Sequence, residues 1–594
     1  MHLPTQSREE PNLFRRSVLC TAVCAALTLS GCATHSDKLN FIDNEGTKTY
    51  AEAYEPARQM MLQGQWDAMR AKLNENTSRE VKEQVKDENG EVRETARTEK
   101  LTNDEEKERL IKEQSELSMV ERGLLTLNVG DFERALFYFD AAEEKLGLAE
   151  ADDSLASTAS SVGKTGLAVM LGSEEMANYE LRGYEKVMLL NYKALCYMLM
   201  GDRKAYNVTR RAIDLQQAEW EKFKEMLAKN EEEQKNLKDE VKDKKPKQAG
   251  GEMTPEAEAA RQKSLEMQIQ QLQATKSGME QQLASGQIGL MQMPSYRQKL
   301  SEINGQIDQL QKMRTSAAGP NPGKLSMADI DDRSDDVKAK AELVTSAYVN
   351  PFGDYLNAMM MEIDGFDDST MRQNAKIAYK KVVENNKDCT TAKQAVRTVE
   401  KGVPANSKLV QIILSDGFSP YQVEKTKVFP IPLEKRTVNA VVNYSNATPV
   451  PTETAGARVM VGGKSTNLSS LTKMESLILR DEADRLPMRA TMFGLAILRS
   501  AASGAFLGDL GSAVAGSIQH PDTRSWLSLP NQVYVARVVV PKSQTSLKLE
   551  TTGADGAILA SQDVKLAKDG PTVVYAVSYD KNVKVYANAF SWVE

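Results

Sequence analysis

The sequence predicts a multidomain α+β protein, and three changes of pattern predict it. Small and apolar residues recur at helical spacing through residues 42–215 and again through 326–404. A heptad seam interrupts them between 216 and 325. From Ser407 the period falls to two, in short runs rich in Val, Ile and Tyr. The expected architecture is an α-helical domain with inserted antiparallel coiled-coil arms. An antiparallel β-sandwich-like domain at 405–594 follows, with one inserted helix at about 476–503.

The chain opens with Arg15-Arg16, an apolar run over 17–27, and then Leu29-Ser30-Gly31-Cys32. A basic segment, a short apolar segment and small residues at the cut are the layout of a secretory signal, here residues 1–31. The run is too short to span a bilayer, which needs about 20 residues. Its ending resembles a bacterial lipobox, in which the cysteine is lipidated and becomes the mature N-terminus. One acyl chain holds a protein at a membrane only marginally. Lipoprotein maturation, as the resemblance implies, adds several, so Cys32 and the tether 32–41 would anchor the chain permanently. Ala33, where an Asp would retain the protein, implies transfer to the outer membrane.

Within 42–215 the clearest unit runs from Glu121 to Leu146. Gly123, Gly130, Ala135 and Ala142 alternate with Phe132 and Phe139 at the offsets of a tetratricopeptide repeat. Small residues let two antiparallel helices approach, aromatics fill the gaps, and Gly130-Asp131 supplies the turn. A degenerate copy runs through Tyr192, Ala194, Gly201-Asp202, Ala205 and Ala212, and a weaker one contains Gly64-Gln65-Trp66 and Ala68. The charged stretch 80–116, with its Asn89-Gly90 turn signal, reads as a hairpin or as solvated helix arms.

The insertion carries Trp220, Phe223, Leu227, Asn230, Gln234, Leu237 and Val241 at alternating spacings of three and four. The pattern breaks at Pro246 and Gly250-Gly251. It resumes through Leu265, Ile269 and Leu272, and again through Leu300, Ile303 and Ile307. Polar seam positions favour an intramolecular hairpin, serving either as a partner-reaching arm or as a spacer. Asn350-Pro351 then reads as an N-cap followed by proline at the first helical position. Strands are expected at 409–414, 438–444, 458–461, 533–540, 546–551, 572–579 and 583–587.

Composition narrows the chemistry. The formal charge of −7 moves to about −8 once residues 1–31 are removed, which gives no electrostatic case for nucleic acid. Gly163-Lys164-Thr165 and Gly463-Lys464-Ser465 end like phosphate loops, but Thr158 and Arg458 stand where each loop needs glycine. Both read as turns, so no nucleotide is expected. Of three histidines only His520 lies in the body, which excludes zinc sites with several His ligands. No cofactor is expected. Cys196 and Cys389 either pair or serve as small buried hydrophobes. Two-carboxylate glycosidase chemistry needs only Asp and Glu, and nothing selects a pair among 83 acidic residues.

The most distinctive polar cluster is Asp522-Thr523-Arg524-Ser525-Trp526. Trp and Arg are favoured binding anchors, so Asp522, Arg524 and Trp526 form a candidate interaction face. The alternative is an Asp522–Arg524 pair ordering a loop while Trp526 caps the core.

Taken with Tyr184-Glu185-Lys186-Val187-Met188-Leu189, Tyr192-Lys193-Ala194-Leu195, Asn350-Pro351-Phe352 and Asp416-Gly417-Phe418-Ser419-Pro420, this run resembles a family of bacterial lipoproteins with degenerate tetratricopeptide repeats. The resemblance covers 116–215, 342–445 and 520–540. It implies a periplasm-facing outer-membrane lipoprotein without catalysis and supplies no functional residues. The coiled-coil insertion departs from it. The expected function is a non-enzymatic scaffold binding protein partners in cell-wall or outer-membrane assembly. The alternatives are glycan or peptidoglycan binding through the β domain around Trp526, or a wall hydrolase.

Overall fold

The computed structural model describes residues 49–74, 78–86, 92–100, 103–148, 179–243, 255–284, 330–365, 368–433, 436–507, 521–568 and 570–589, with a few more between 300 and 311. Cys32, Gly163-Lys164-Thr165 and His520 lie outside them. The protein is mixed α+β.

The first helices come in antiparallel pairs. They are α1 (Tyr50–Leu62) with α2 (Trp66–Leu73), α4 (Glu116–Asn128) with α5 (Phe132–Lys145), and α6 (Gly183–Met200) with α7 (Lys204–Asp243). Helix α3 (Asn103–Glu113) packs on α5. The turn glycines of the pairs, Gly64, Gly130 and Gly201, all hold positive φ, a backbone region open mainly to glycine. Asp131 caps α5 by accepting from the Arg134 N–H at 3.1 Å. A Cβ on Gly123 would stand 2.6 Å from Phe139, so the small residue is what lets α4 and α5 meet. The charged stretch before α3 is the antiparallel hairpin β1 (Ser78–Lys86) and β2 (Val92–Lys100).

Helix α7 passes through residue 216 without a break. Trp220 and Phe223, expected to open the coiled-coil seam, instead pack on Tyr348, with ring centroids 5.5 and 5.2 Å away. The outer arms do meet: Ile269 and Leu272 of α8 (Pro255–Ala284) cluster with Ile303 and Ile307. The expected N-cap at Asn350 is present in substance, since its Oδ1 accepts from the Phe352 N–H at 3.0 Å. Helices α9 (Asp335–Ala341), α10 (Phe352–Asp364), α11 (Ser369–Asn385) and α12 (Thr390–Thr398) follow.

The β portion has a five-stranded sheet in the order β13-β12-β3-β9-β8 and a four-stranded sheet in the order β11-β10-β6-β7. The five strands are β3 (Ser407–Asp416), β8 (Ser469–Lys473), β9 (Gln532–Pro541), β12 (Thr572–Tyr579) and β13 (Asn582–Ala589). The four are β6 (Gly456–Val461), β7 (Lys464–Asn467), β10 (Ser546–Thr552) and β11 (Ile558–Lys565). The expectation of a purely antiparallel β domain is corrected: β12 runs parallel to β3. Parallel neighbours need a long crossover and both faces covered, and here 155 residues separate the two strands.

That sheet lies between two layers. Ile413, Val533, Val535, Val573, Tyr575 and Val577 face the helices, while Val410, Ile412, Tyr534, Ala536, Val574 and Ala576 face the four-stranded sheet. Alternate residues of one strand thus enter different cores, which explains why β3 and β12 read as near-continuous apolar runs. The helical and β portions share one core.

The expected inserted helix is two helices, α13 (Met474–Asp484) and α14 (Leu486–Leu507). Phe493 of α14 packs on Phe429 and Tyr444 of the long ribbon β4 (Tyr421–Leu433) and β5 (Arg436–Thr448). Strand β4 escaped the sequence reading because Pro430 and Pro432 argue against a strand. Gly462-Gly463 forms a two-residue hairpin turn between β6 and β7, both glycines at positive φ. Among the described residues no helix is long and apolar enough to cross a membrane.

Candidate functional site

The segment holding Asp522, Arg524 and Trp526 leads into β9, with Trp526 buried and Asp522 and Arg524 half-buried. Arg524 bonds Asp522 through Nε–Oδ1 and Nη2–Oδ2, each 2.8 Å, and lies over the Tyr179 ring at 5.6 Å. Trp526 is 1 % exposed, with Tyr192 at 6.3 Å and its Nε1–H donating to Ser528 Oγ at 2.8 Å. A ring so enclosed cannot stack on a sugar. Trp526 is therefore removed from the candidate interaction face, and the Asp522–Arg524 pair orders a loop.

Two buried carboxylates hold this segment by its main chain. Glu121 of α4 accepts from the N–H groups of Leu527 and Ser528, the latter at 2.9 Å. Glu185 of α6 accepts from the Trp526 N–H at 2.9 Å, the Arg182 N–H at 2.8 Å and the Tyr179 hydroxyl at 2.7 Å. Ser419 completes the clasp, donating from Oγ to the Trp526 carbonyl at 2.9 Å and from its N–H to the Leu529 carbonyl. Burial pushes the Glu121 carboxyl up to about 8, partly offset by its hydrogen bonds to Ser528 and Leu527. Burial also raises Glu185, against the opposing pull of Arg182 and the amides.

Glu185, Ser419 and Trp526, drawn from three of the runs that carry the family resemblance, meet in this clasp. Phe352, from a fourth, packs on Tyr192 at 5.9 Å. These residues knit the layers together.

The other strongly buried acids are similarly committed. Asp416 accepts from the hydroxyls of Ser578 and Thr452, and burial pushes it up to about 6. Glu362 joins Arg537 bidentately across the helix–sheet boundary. Asp481 is flanked by Arg182 at 3.1 Å and Arg485 at 2.8 Å. The thiols of Cys196 and Cys389 are free and buried. Each of these groups is buried.

One open feature is a groove of about 290 Å³ on the helical layer. Helix α7 contributes Arg210, Ile213 and Asp214, α10 contributes Asp354, Asn357 and Met361, and α11 contributes Asn374, Ile377, Ala378 and Lys381. Each set recurs at three- and four-residue intervals, so each is one face of its helix. Asp354 is tied to Lys381 at 3.2 Å and to Asn385 at 3.1 Å, and burial raises its carboxyl. Thr209 donates to Asn357 Oδ1 at 3.3 Å.

Sequence reasoning passed over all ten of these residues. The missed signal was the phase of Ile377: Ala375, Tyr379 and Val382 define the buried face of α11, and the isoleucine points away from them. The chain matches no family model, no curated protein and no solved structure.

Proposed function

We propose that the protein is a non-enzymatic lipoprotein, anchored through Cys32 to the outer membrane. Its periplasmic body binds protein partners with a tetratricopeptide-like helical layer backed by a sandwich-like pair of sheets. The observation that carries the binding role is the solvent-open groove with an exposed aliphatic side chain. Helix pairs stacked side by side expose surfaces suited to such work. The Leu29-Ser30-Gly31-Cys32 ending supports the anchor.

Two measurements test the reading. Cys32→Ser should shift the protein from the membrane to the soluble envelope fraction. In-cell crosslinking with mass spectrometry should recover a reproducible set of envelope proteins with the anchored chain, and fewer with Cys32→Ser. A chain that crosslinks to nothing would overturn the scaffold role.

A further inference from the structure

We propose that the groove between α7, α10 and α11 binds an extended segment of a partner polypeptide, seating an aliphatic side chain against Ile213, Met361 and Ile377 and an acidic side chain against Arg210. The proposal deepens the scaffold reading and rests on it.

Ile377 is 64 % exposed, more than Leu343, Ile558 or Val539, the other large apolar side chains at the surface among the described residues. Its neighbours in the groove, Ile213 and Met361, are half-buried and supply an apolar floor. Covering such a floor releases water at roughly 25 cal/mol per Å² of apolar area.

The polar lining says what else the occupant carries. Lys381 is already neutralised by Asp354. Arg210 is exposed and has no partner among the described residues, so it is the groove's unspent cation. A guanidinium presents donors in a fork that fits a carboxylate. Asn374 likewise has no hydrogen-bond partner among the described residues. Its side-chain amide offers one donor group and one acceptor, the same pair that a peptide unit needs. Asp214, one turn beyond Arg210 on α7, adds an acceptor for a backbone N–H. A bound helix has already spent its main-chain groups, and could meet Asn374 and Asp214 only through its side chains. An extended segment uses both. The polar groups are spread over three helices instead of converging on one point, which suits a chain better than a small molecule.

The test is selection of a displayed random peptide library on the full chain purified in detergent. Enriched peptides should share an aliphatic residue close to an acidic one. A synthetic peptide of that sequence should lose tenfold or more in affinity on Ile377→Asp and on Arg210→Glu, and none on Ile558→Asp, which alters a distant exposed aliphatic. Circular dichroism and Tm confirm that each variant is folded, and Ile377→Ser replaces Ile377→Asp if the latter is not.

No enrichment, or peptides that bind both variants as they bind the parent chain, would overturn the proposal. So would dimerisation in sedimentation experiments that Ile377→Asp abolishes, since a second copy would then be the occupant. The two readings fail separately. If the chain crosslinks to nothing in cells, the scaffold role falls; if crosslinks persist unchanged in Ile377→Asp, only the groove does.

Discussion

Glu121 and Glu185 place two carboxylates beside three consecutive amides of the segment entering β9, and no substitution reproduces that arrangement. Glu121→Gln would turn an NH2 group toward one of the two N–H donors it now accepts. A buried donor left facing a donor costs about 1–3 kcal/mol, and urea unfolding would register the loss. The pH dependence follows from the direction of the shift. Glu121 titrates at about 8 in the folded chain, up from 4.5, so the native state holds its proton more tightly than the unfolded state does. Its contribution to stability is fully present below about pH 4.5 and is lost as pH rises through about 8. Midpoints measured from pH 5 to 8.5 should therefore fall more in the parent chain than in Glu121→Gln. Trp526→Ala should cost about 3–5 kcal/mol, because its ring is sealed by Tyr192 and its indole N–H is satisfied internally.

At the scale of the element, the α4–α5 pair depends on a glycine for proximity instead of for backbone freedom. A Cβ at Gly123 would fall 2.6 Å from Phe139. Gly123→Val should lower stability by about 1–3 kcal/mol through overpacking. Phe139→Leu in the same chain should recover part of the loss, and a double-mutant cycle in denaturant measures the coupling. This pairing was legible beforehand, since the seven-residue spacing of Gly123 and Gly130 against Phe132 and Phe139 is a local pattern. The ribbon of β4 and β5 was only half legible. Its second strand has the alternation, but Pro430 and Pro432 mask the first, and a two-stranded ribbon tolerates prolines that a central strand cannot. Asn386, in the turn after α11, donates to the carbonyls of Ser470 and Leu471 and so covers the edge strand β8. No sequence pattern announces such a contact across 84 positions.

Across the whole molecule, the boundary drawn at residue 405 marks a change of secondary structure within a continuous core. Val533, Val535, Val573, Tyr575 and Val577 face the helices, and Tyr575 donates to Asn128 Oδ1 at 2.7 Å. A fragment of residues 405–594 would expose that apolar face, and it should be poorly folded, with weak near-ultraviolet circular dichroism and poorly dispersed amide resonances. The Glu362–Arg537 pair bridges α10 and β9 with both side chains almost wholly buried. Arg537→Met should cost about 3–5 kcal/mol by stranding the carboxylate, whereas Arg537→Met with Glu362→Met should cost much less. Comparing the single and double variants in denaturant checks this.

The sequence by itself determined the mixed α+β class, the helix pairs with their glycine turns, most of the strands and the Gly462-Gly463 turn. All of these follow from local periodicity, sterics and turn chemistry. Only the tertiary structure decided that β12 runs parallel to β3, that Trp526 is core, that two glutamates clasp its main chain, and that Ile377 and Arg210 share a groove. Each of these depends on residues far apart in the chain meeting in a particular register. Burial, which sets both the acidity of Glu121 and the accessibility of Trp526, is a property of that meeting and not of either segment alone.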